Sequence, residues 1–270
     1  MEWVQTSDNI YLAVYDIAPE NKKIIVMVHG WPLDHHLFEY QINELPTQGY
    51  RLILLDLRGF GASDRPWDGY NYDRLAEDLY TVIGAKKIDN FYLLGFSMGG
   101  AIVSRYMKNY QGKGVKKLIL SSAAVPHFTQ NQQYPYAAYT KEEIQQLIKD
   151  FLQDRPATLQ QFGKDFFFQQ KSTAFLEWFQ DLTEQQSSYA TIKTLISLCD
   201  EDLTEDLCSI QVPTGIFHGA QDKICPLPLA IATSHLIPQA ELHIFECGGH
   251  GVFLEEIEKY NQELIAFLEK

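Results

Sequence analysis

Apolar runs alternate with amphipathic segments along the first half of the chain. Continuous apolar runs predict strands at residues 24–28, 51–57, 91–94 and 115–120, and apolar positions with helical spacing predict helices at 37–45, 72–83 and 100–107. Short, fully apolar strands separated by helices are typical of a parallel sheet that is covered on both faces. Residues 10–17 alternate more than these continuous runs do and predict an antiparallel edge strand.

The pattern changes after residue 126. From there to about residue 207 the chain has no strand-like run and is rich in glutamine and aromatic residues, and we predict helices at 141–152, 159–168 and 175–198. Strands are predicted again at 214–217 and 241–245, with a helix at 227–236 between them and a closing helix at 255–268. The chain is therefore predicted to be a single α/β domain over residues 1–270, with a helical cap inserted between sheet strands at about 126–207.

Composition narrows the function classes. The 270 residues are 46% hydrophobic, enough for a large core, and carry a formal net charge of -13. Such a charge argues against nucleic acid and anionic membrane surfaces as partners. The N-terminus has no signal-peptide pattern, no apolar run reaches bilayer length, and four cysteines without zinc-type or C-x-x-C spacing are typical of free thiols in a reducing compartment. We expect a cytoplasmic protein, and its oligomeric state is left open, a homo-oligomer included.

The segment Gly95-Phe96-Ser97-Met98-Gly99 lies between a predicted strand and a predicted helix. A G-x-S-x-G at such a junction is the nucleophile elbow, a sharp turn that holds the serine hydroxyl above the sheet. Bulk at Gly95 or Gly99 would collide with the neighbouring chain. The pattern alone is weakly specific, but its position makes Ser97 the candidate nucleophile.

A serine nucleophile needs a base and an acid that orients the base. Asp222 and His250 follow Ser97 in that chain order, each in a loop after a predicted strand, at the sheet edge where ligands bind in α/β folds. The plainer interpretations are a turn acid and a loop histidine. His243 lies inside the last predicted strand, where the sheet would fix its side chain, so we do not expect it to be the base.

The developing oxyanion needs hydrogen-bond donors. The backbone N–H of Met98 and that of Trp31, in the loop His29-Gly30-Trp31-Pro32, are the candidates. Pro32 has no N–H and cannot donate. His29 either holds this loop or contacts substrate directly.

Several motifs together resemble one family, the cofactor-free haloperoxidase group of α/β-hydrolases, which are aryl esterases and perhydrolases. The motifs are His29-Gly30-Trp31-Pro32, Asp56-Leu57-Arg58-Gly59-Phe60-Gly61-Ala62-Ser63, Gly95-Phe96-Ser97-Met98-Gly99-Gly100, His218-Gly219-Ala220-Gln221-Asp222 and Gly249-His250-Gly251. The resemblance implies a hydrolase of small carboxylic esters that also accepts hydrogen peroxide and releases a peracid. It implies no haem, vanadium, metal or other cofactor. The alternatives are a carbon–carbon bond or lactone hydrolase on the same fold and a non-catalytic ligand-binding receptor.

Proline fixes its own φ and biases the preceding residue, so Pro32 sets the direction of the Trp31 carbonyl beside the expected oxyanion site. That carbonyl could accept a hydrogen bond from incoming peroxide, as the resemblance to the perhydrolase branch also suggests. The alternative is that Pro32 only stiffens the loop.

Other conspicuous residues have plainer interpretations. The pair His35-His36 shows no metal-ligand spacing and is expected in a solvated loop, and Asp56 and Arg58 are expected to fix their loop. Cys225 stands where the family usually has valine and Cys247 precedes the His250 turn. We expect both cysteines to be small buried side chains, the alternative being oxidation by peroxide. Aromatic residues of the cap either line an acyl pocket or pack the cap.

Overall fold

An eight-stranded sheet runs through the protein, and the computed structural model describes all residues from Met1 to Lys270. In chain order the strands are β1 (Glu2–Gln5), β2 (Tyr11–Ile17), β3 (Lys23–Val28), β4 (Tyr50–Leu55), β5 (Phe91–Phe96), β6 (Val115–Ser121), β7 (Thr214–Gly219) and β8 (Ala240–Phe245). Their spatial order is β1-β2-β4-β3-β5-β6-β7-β8. β2 pairs antiparallel with both β1 and β4, and every other pairing is parallel.

The central strands are buried on both faces, as their continuous apolar sequences predict. Residues 25–28 of β3 and 52–55 of β4 have no exposed surface. Burial on both faces is possible because each crossover between parallel strands places a helix on one side of the sheet. The carboxyl ends of β3, β5, β7 and β8 consequently meet at one edge, where the loops that follow them are brought together.

Eleven α-helices surround the sheet. They are α1 (Glu39–Glu44), α2 (Tyr72–Lys86), α3 (Met98–Asn109), α4 (Lys141–Gln153), α5 (Arg155–Phe166), α6 (Thr173–Glu184), α7 (Ser188–Asp200), α8 (Thr204–Cys208), α9 (Leu227–Leu236), α10 (Val252–Glu255) and α11 (Ile257–Glu269). Two short 3-10 segments, His35–Phe38 and Leu45–Gln48, flank α1. No helix combines the length and the apolarity that crossing a membrane requires.

Helices α4 to α8 lie between β6 and β7, in a segment (residues 122–213) that we call the insertion. It covers the carboxyl edge of the sheet through contacts with the loops there. The Trp31 indole N–H donates to the Thr191 carbonyl at 2.8 Å, and the His250 N–H donates to the Phe166 carbonyl at 2.9 Å. The insertion also contacts the loop after β4, where the Ser187 N–H donates to the Gly59 carbonyl.

Three details differ from the predicted elements. β2 is antiparallel as expected but is not the edge, because β1 pairs with its outer side. The predicted helix 175–198 is two helices, since the Ser187 hydroxyl accepts the Ala190 N–H and starts a new helix. The short helices α8 and α10 and the strand β1 have no counterpart among the predicted elements.

Candidate active site

Ser97 occupies the turn between β5 and α3. Its φ of 52° and ψ of -119° are strained for a residue with a side chain. The turn can be this sharp because Gly95 and Gly99 leave no room for anything larger: a Cβ would lie 2.4 Å from the Gly99 carbonyl oxygen in the first case and 2.3 Å from the Val28 carbonyl oxygen in the second. The sequence prediction for both glycines is confirmed.

A continuous chain of hydrogen bonds joins Ser97, His250 and Asp222. His250 Nε2 lies 2.9 Å from Ser97 Oγ, and His250 Nδ1 lies 2.8 Å from Asp222 Oδ2. All three residues are at least nine-tenths buried. Ring contacts with Phe96 and Phe166, at centroid distances of 5.0 and 5.1 Å, hold the imidazole between the sheet and the insertion.

The loop after β7 fixes the Asp222 carboxylate. Oδ1 accepts the N–H groups of Ile224 and Cys225, each at 2.8 Å. A second buried histidine, His218, lies 3.5 Å from Oδ2 and 2.6 Å from the Cys225 carbonyl oxygen, both through Nε2. Burial lowers the pKa of His218, so the ring is neutral at pH 7 with the Nε2 proton directed at these oxygens. These contacts fix the orientation of the carboxylate, with Oδ2 turned toward His250.

Two buried backbone N–H groups lack partners beside the Ser97 hydroxyl. Met98 is the first residue of α3, so its N–H has no carbonyl one turn earlier. The N–H of Trp31 donates to no group of the protein, and the Trp31 carbonyl accepts from none. The loop approaches Ser97 closely because residue 30 is glycine, where a Cβ would lie 2.9 Å from the Ser97 Cβ.

His29 holds the loop that carries Trp31. Its Nε2 accepts the Leu57 N–H at 3.0 Å, which places the ring proton on Nδ1, 2.9 Å from the Gly30 carbonyl oxygen. Burial lowers the pKa of this completely buried ring. With both nitrogens engaged, the contacts favour loop support over direct contact with substrate.

A small apolar cavity of about 30 Å³ lies against Ser97. Apart from Trp31 and Ser97, its walls come from the insertion and from the loop after β7: Phe128, Tyr139, Ile144, Leu147, Phe162, Leu195, Leu198 and Ile224. The elbow thus faces a small, mostly apolar space.

Comparisons with known proteins agree with this geometry. The family model of the alpha/beta hydrolase fold matches residues 23–257. The chain belongs to the α/β-hydrolase family. It is 47% identical over 98% of both chains to the AB hydrolase superfamily protein YisY of Bacillus subtilis. Among solved structures it resembles an esterase from Exiguobacterium antarcticum (42% identity, 99% of both chains, TM-score 0.97) and a bromoperoxidase from Bacillus anthracis (29% identity, 100% of this chain and 99% of that chain, TM-score 0.94). The haloperoxidase and esterase group inferred from the motifs is thereby confirmed.

Asp56 and Arg58 anchor the loop that follows β4, as predicted, Asp56 through backbone N–H groups and Arg58 through a carboxylate of α2. Asp56 accepts hydrogen bonds from the N–H groups of His35 and Ala62. Arg58 is fully buried and pairs with the Asp78 carboxylate at 2.6 Å.

The prediction for the His35-His36 pair is wrong for His35. Its ring is buried, stacks on Tyr15 at 3.5 Å and bonds Asp56 through Nδ1 at 2.8 Å. Only the His36 ring is exposed, with Nδ1 2.9 Å from an Asp34 oxygen. Asp34, His35 and His36 each offer one potential metal-ligand atom, and these atoms lie within 4.8 Å of one another. The spacing of known metal-binding motifs does not predict this cluster. The stacking surface that buries His35 comes from a distant strand, which local sequence does not reveal.

The two cysteines near the site differ from each other. Cys225 is buried, as predicted, and its burial raises the pKa of the thiol well above the ordinary value. Cys247 is exposed, contrary to the prediction, because it lies in the turn between β8 and the His250 loop.

His243 is not expected to be the base, and its surroundings agree. Its ring stacks on Phe217 at 4.3 Å and its Nδ1 bonds Glu263. Reasoning from sequence gave no role to His218, although its position within the motif that contains Asp222 was the available signal. Helical periodicity did not identify the cavity-lining leucines either.

Proposed function

We propose that this α/β-hydrolase cleaves small carboxylic esters through an acyl-enzyme on Ser97. The observation that carries the proposal is the unbroken series of hydrogen bonds from Asp222 through His250 to Ser97 Oγ, beside two unpaired N–H groups. Similarity to a solved esterase over nearly the whole chain supports the same reaction class.

In the first half-reaction Ser97 Oγ attacks the ester carbonyl while His250 Nε2 takes the hydroxyl proton. Asp222 keeps the other ring proton on Nδ1 and stabilises the imidazolium. The oxyanion receives hydrogen bonds from the N–H groups of Trp31 and Met98, at the positive end of α3. The C–O bond to the alcohol then breaks, and His250 returns its proton to the departing oxygen.

In the second half-reaction water gives a proton to His250 and attacks the acyl carbon. The Ser97 Oγ–carbon bond breaks, the proton returns to Oγ, and the carboxylic acid leaves. Hydrogen peroxide can replace water, with a peracid as the product, and similarity to the bromoperoxidase supports this secondary activity. The Trp31 carbonyl, which has no partner in the protein, is available to accept the second O–H of the peroxide.

The direct test is Ser97→Ala with p-nitrophenyl acetate and a fluorophosphonate probe. We expect a loss of at least about a thousandfold in turnover, complete loss of labelling and an unchanged thermal midpoint, because the hydroxyl contributes chemistry and little packing. Every step uses groups of the chain itself, so dialysis against chelators should leave the rate unchanged. Retention of more than about a tenth of the turnover would place the nucleophile elsewhere. Absence of labelling and turnover in the wild-type protein would favour a receptor.

A further inference from the structure

A second, larger cavity adjoins the one at Ser97. It has a volume of about 580 Å³ and lies between α4 and α5 of the insertion, and we call it the outer groove. Four side chains line both cavities: Trp31, Tyr139, Leu147 and Phe162. The inner cavity is small, at about 30 Å³, so the outer groove is the adjacent space in which the larger part of an ester can lie.

The outer groove carries negative charge without compensation. Glu143, Asp150, Asp154 and Asp165 line it, and its lining contains no lysine, arginine or histidine. Their hydrogen bonds come from uncharged donors alone, and none of the four forms an ion pair; the donors belong to Thr140, Gln146, Ala157 and Gln161. The bonds from Thr140 lower the pKa of Glu143, which keeps that carboxyl ionised at neutral pH.

Aromatic and aliphatic surface lies beside these carboxylates. Besides the four shared side chains, the buried ring of Phe151 lines the groove. Aromatic rings beside acidic groups suit a ligand that is apolar and positively charged, since a cation gains from both the ring quadrupoles and the carboxylates. An anion entering the same cleft would be repelled by the four carboxylates.

We propose that the outer groove receives the larger half of the ester and selects by charge, with positively charged esters preferred and anionic esters rejected. The inference deepens the proposed function and rests on it, because the groove matters for catalysis only if Ser97 is the nucleophile. The field that admits the substrate also repels the carboxylate product. The carboxylates act at a distance through the field, and the rings supply the contact.

Three acetyl thioesters of similar size test the proposal. Acetylthiocholine is a cation, 3,3-dimethylbutyl thioacetate has the same shape without charge, and the acetyl thioester of 2-mercaptoethanesulfonate is an anion. At low ionic strength we expect kcat/KM to fall in that order, with the cation favoured over the anion by about tenfold or more. Salt at ~0.5 M should shrink this ratio to within a few-fold of unity, because it screens exposed charges. Equal values for the three esters, or faster cleavage of the anion, would overturn the proposal.

Charge variants locate the effect. Asp150→Asn combined with Asp165→Asn removes two groove charges whose hydrogen bonds come only from glutamines one helical turn away, and avoids the helix caps that use Glu143 and Asp154. The matched control is Glu20→Gln with Asp89→Asn, two exposed acids that precede β3 and β5 at the opposite edge of the sheet.

We expect the cation-to-anion ratio of kcat/KM to drop at least about threefold in the groove variant and to stay unchanged in the control. An equal drop in both would assign the preference to net charge and contradict a role of the groove. A different result would contradict the proposed function itself: thioester cleavage that survives Ser97→Ala. Cleavage that depends on Ser97 but is equally fast for all three charges would contradict only the charge selection by the outer groove.

Discussion

The loops at the carboxyl edge of the sheet and the insertion meet at Ser97, but they contribute different things. The loops present Ser97, Asp222 and His250 at the carboxyl ends of β5, β7 and β8, where hydrogen bonds join the three side chains and two nearby backbone N–H groups fix Asp222. The insertion presents mostly apolar side chains from helices whose orientation depends on packing against one another. Under the proposed function, the comparison assigns the reaction to the sheet edge and the choice of substrate to the insertion.

Trp31 belongs to both regions. Its backbone lies in the loop after β3, while its indole donates to the Thr191 carbonyl of α7 and its ring lines both cavities. The insertion therefore fixes a residue whose backbone we assign to the oxyanion site. A substitution that moves α7 should affect kcat as well as substrate preference.

The largest effect that tests this division is expected at the sheet edge. His250→Ala should lower kcat/KM by at least about a thousandfold, because no other group can take the Ser97 proton. Asp222→Asn should lower kcat/KM by a somewhat smaller factor, because the imidazole is then held in the wrong tautomer. Ester turnover and thermal midpoint, measured side by side, check both.

His243→Ala is the matched control for His250→Ala. It removes a stacked, hydrogen-bonded ring inside β8, so we expect a thermal midpoint lower by a few degrees and nearly normal kcat/KM. Loss of activity at an unchanged midpoint would show that His243 is the base.

Mild acid should destabilise the sheet edge. Burial lowers the pKa of both His29 and His218 in the folded protein. Below a pH of about 6.5, the ordinary pKa of histidine, these side chains therefore bind protons in the unfolded chain but not in the folded chain. The free energy of unfolding should then fall as pH falls, by up to about 1.4 kcal/mol per pH unit for each histidine. Urea unfolding at pH 7.5 and 5.5 measures the change. His218→Gln should reduce the difference between the two unfolding free energies by the contribution of one histidine. Unfolding free energies that do not depend on pH would contradict the lowered pKa values of His29 and His218.

The same division explains what the sequence could predict. The elbow, Asp222 and His250 are recognisable because the proposed reaction requires particular residue types at particular places in short loops. Buried strands are recognisable because their sequences are continuously apolar. Gln185 to Ser187 separates α6 from α7 without glycine or proline, so only the capping serine marked the break. His35 is buried by Tyr15 from another strand, a contact that no local pattern encodes.

The walls of the pocket were beyond prediction for a related reason. Leu147 and Leu152 are both apolar positions of α4, yet Leu147 lines both cavities and Leu152 is 71% exposed. Which face of the helix turns toward Ser97 is decided by its packing against α5 and α7, and periodicity alone does not give that orientation.

A smaller effect should follow from changing the insertion. Leu147→Ala removes a half-buried side chain at the junction of the two cavities, so it should raise kcat/KM for p-nitrophenyl octanoate relative to acetate by about three- to tenfold. Leu152→Ala on the same helix is the control and should leave the ratio unchanged. If Leu147→Ala instead slowed all esters by orders of magnitude, the insertion would share in the chemistry and the division would fail.

The smallest and most selective effect is expected at Pro32. Pro32→Leu frees the direction of the Trp31 carbonyl, which we propose accepts a hydrogen bond from peroxide during attack on the acyl-enzyme. One such bond is worth about 1–2 kcal/mol, so perhydrolysis should slow by roughly 5- to 30-fold while ester hydrolysis changes little. Peracid formation from acetate and peroxide, compared with p-nitrophenyl acetate hydrolysis, measures the two effects separately.

Halogenation should follow the perhydrolysis rate, require a carboxylic acid and disappear in Ser97→Ala, because the peracid is the oxidant. If Pro32→Leu slowed hydrolysis and perhydrolysis equally, Pro32 would only stiffen the loop.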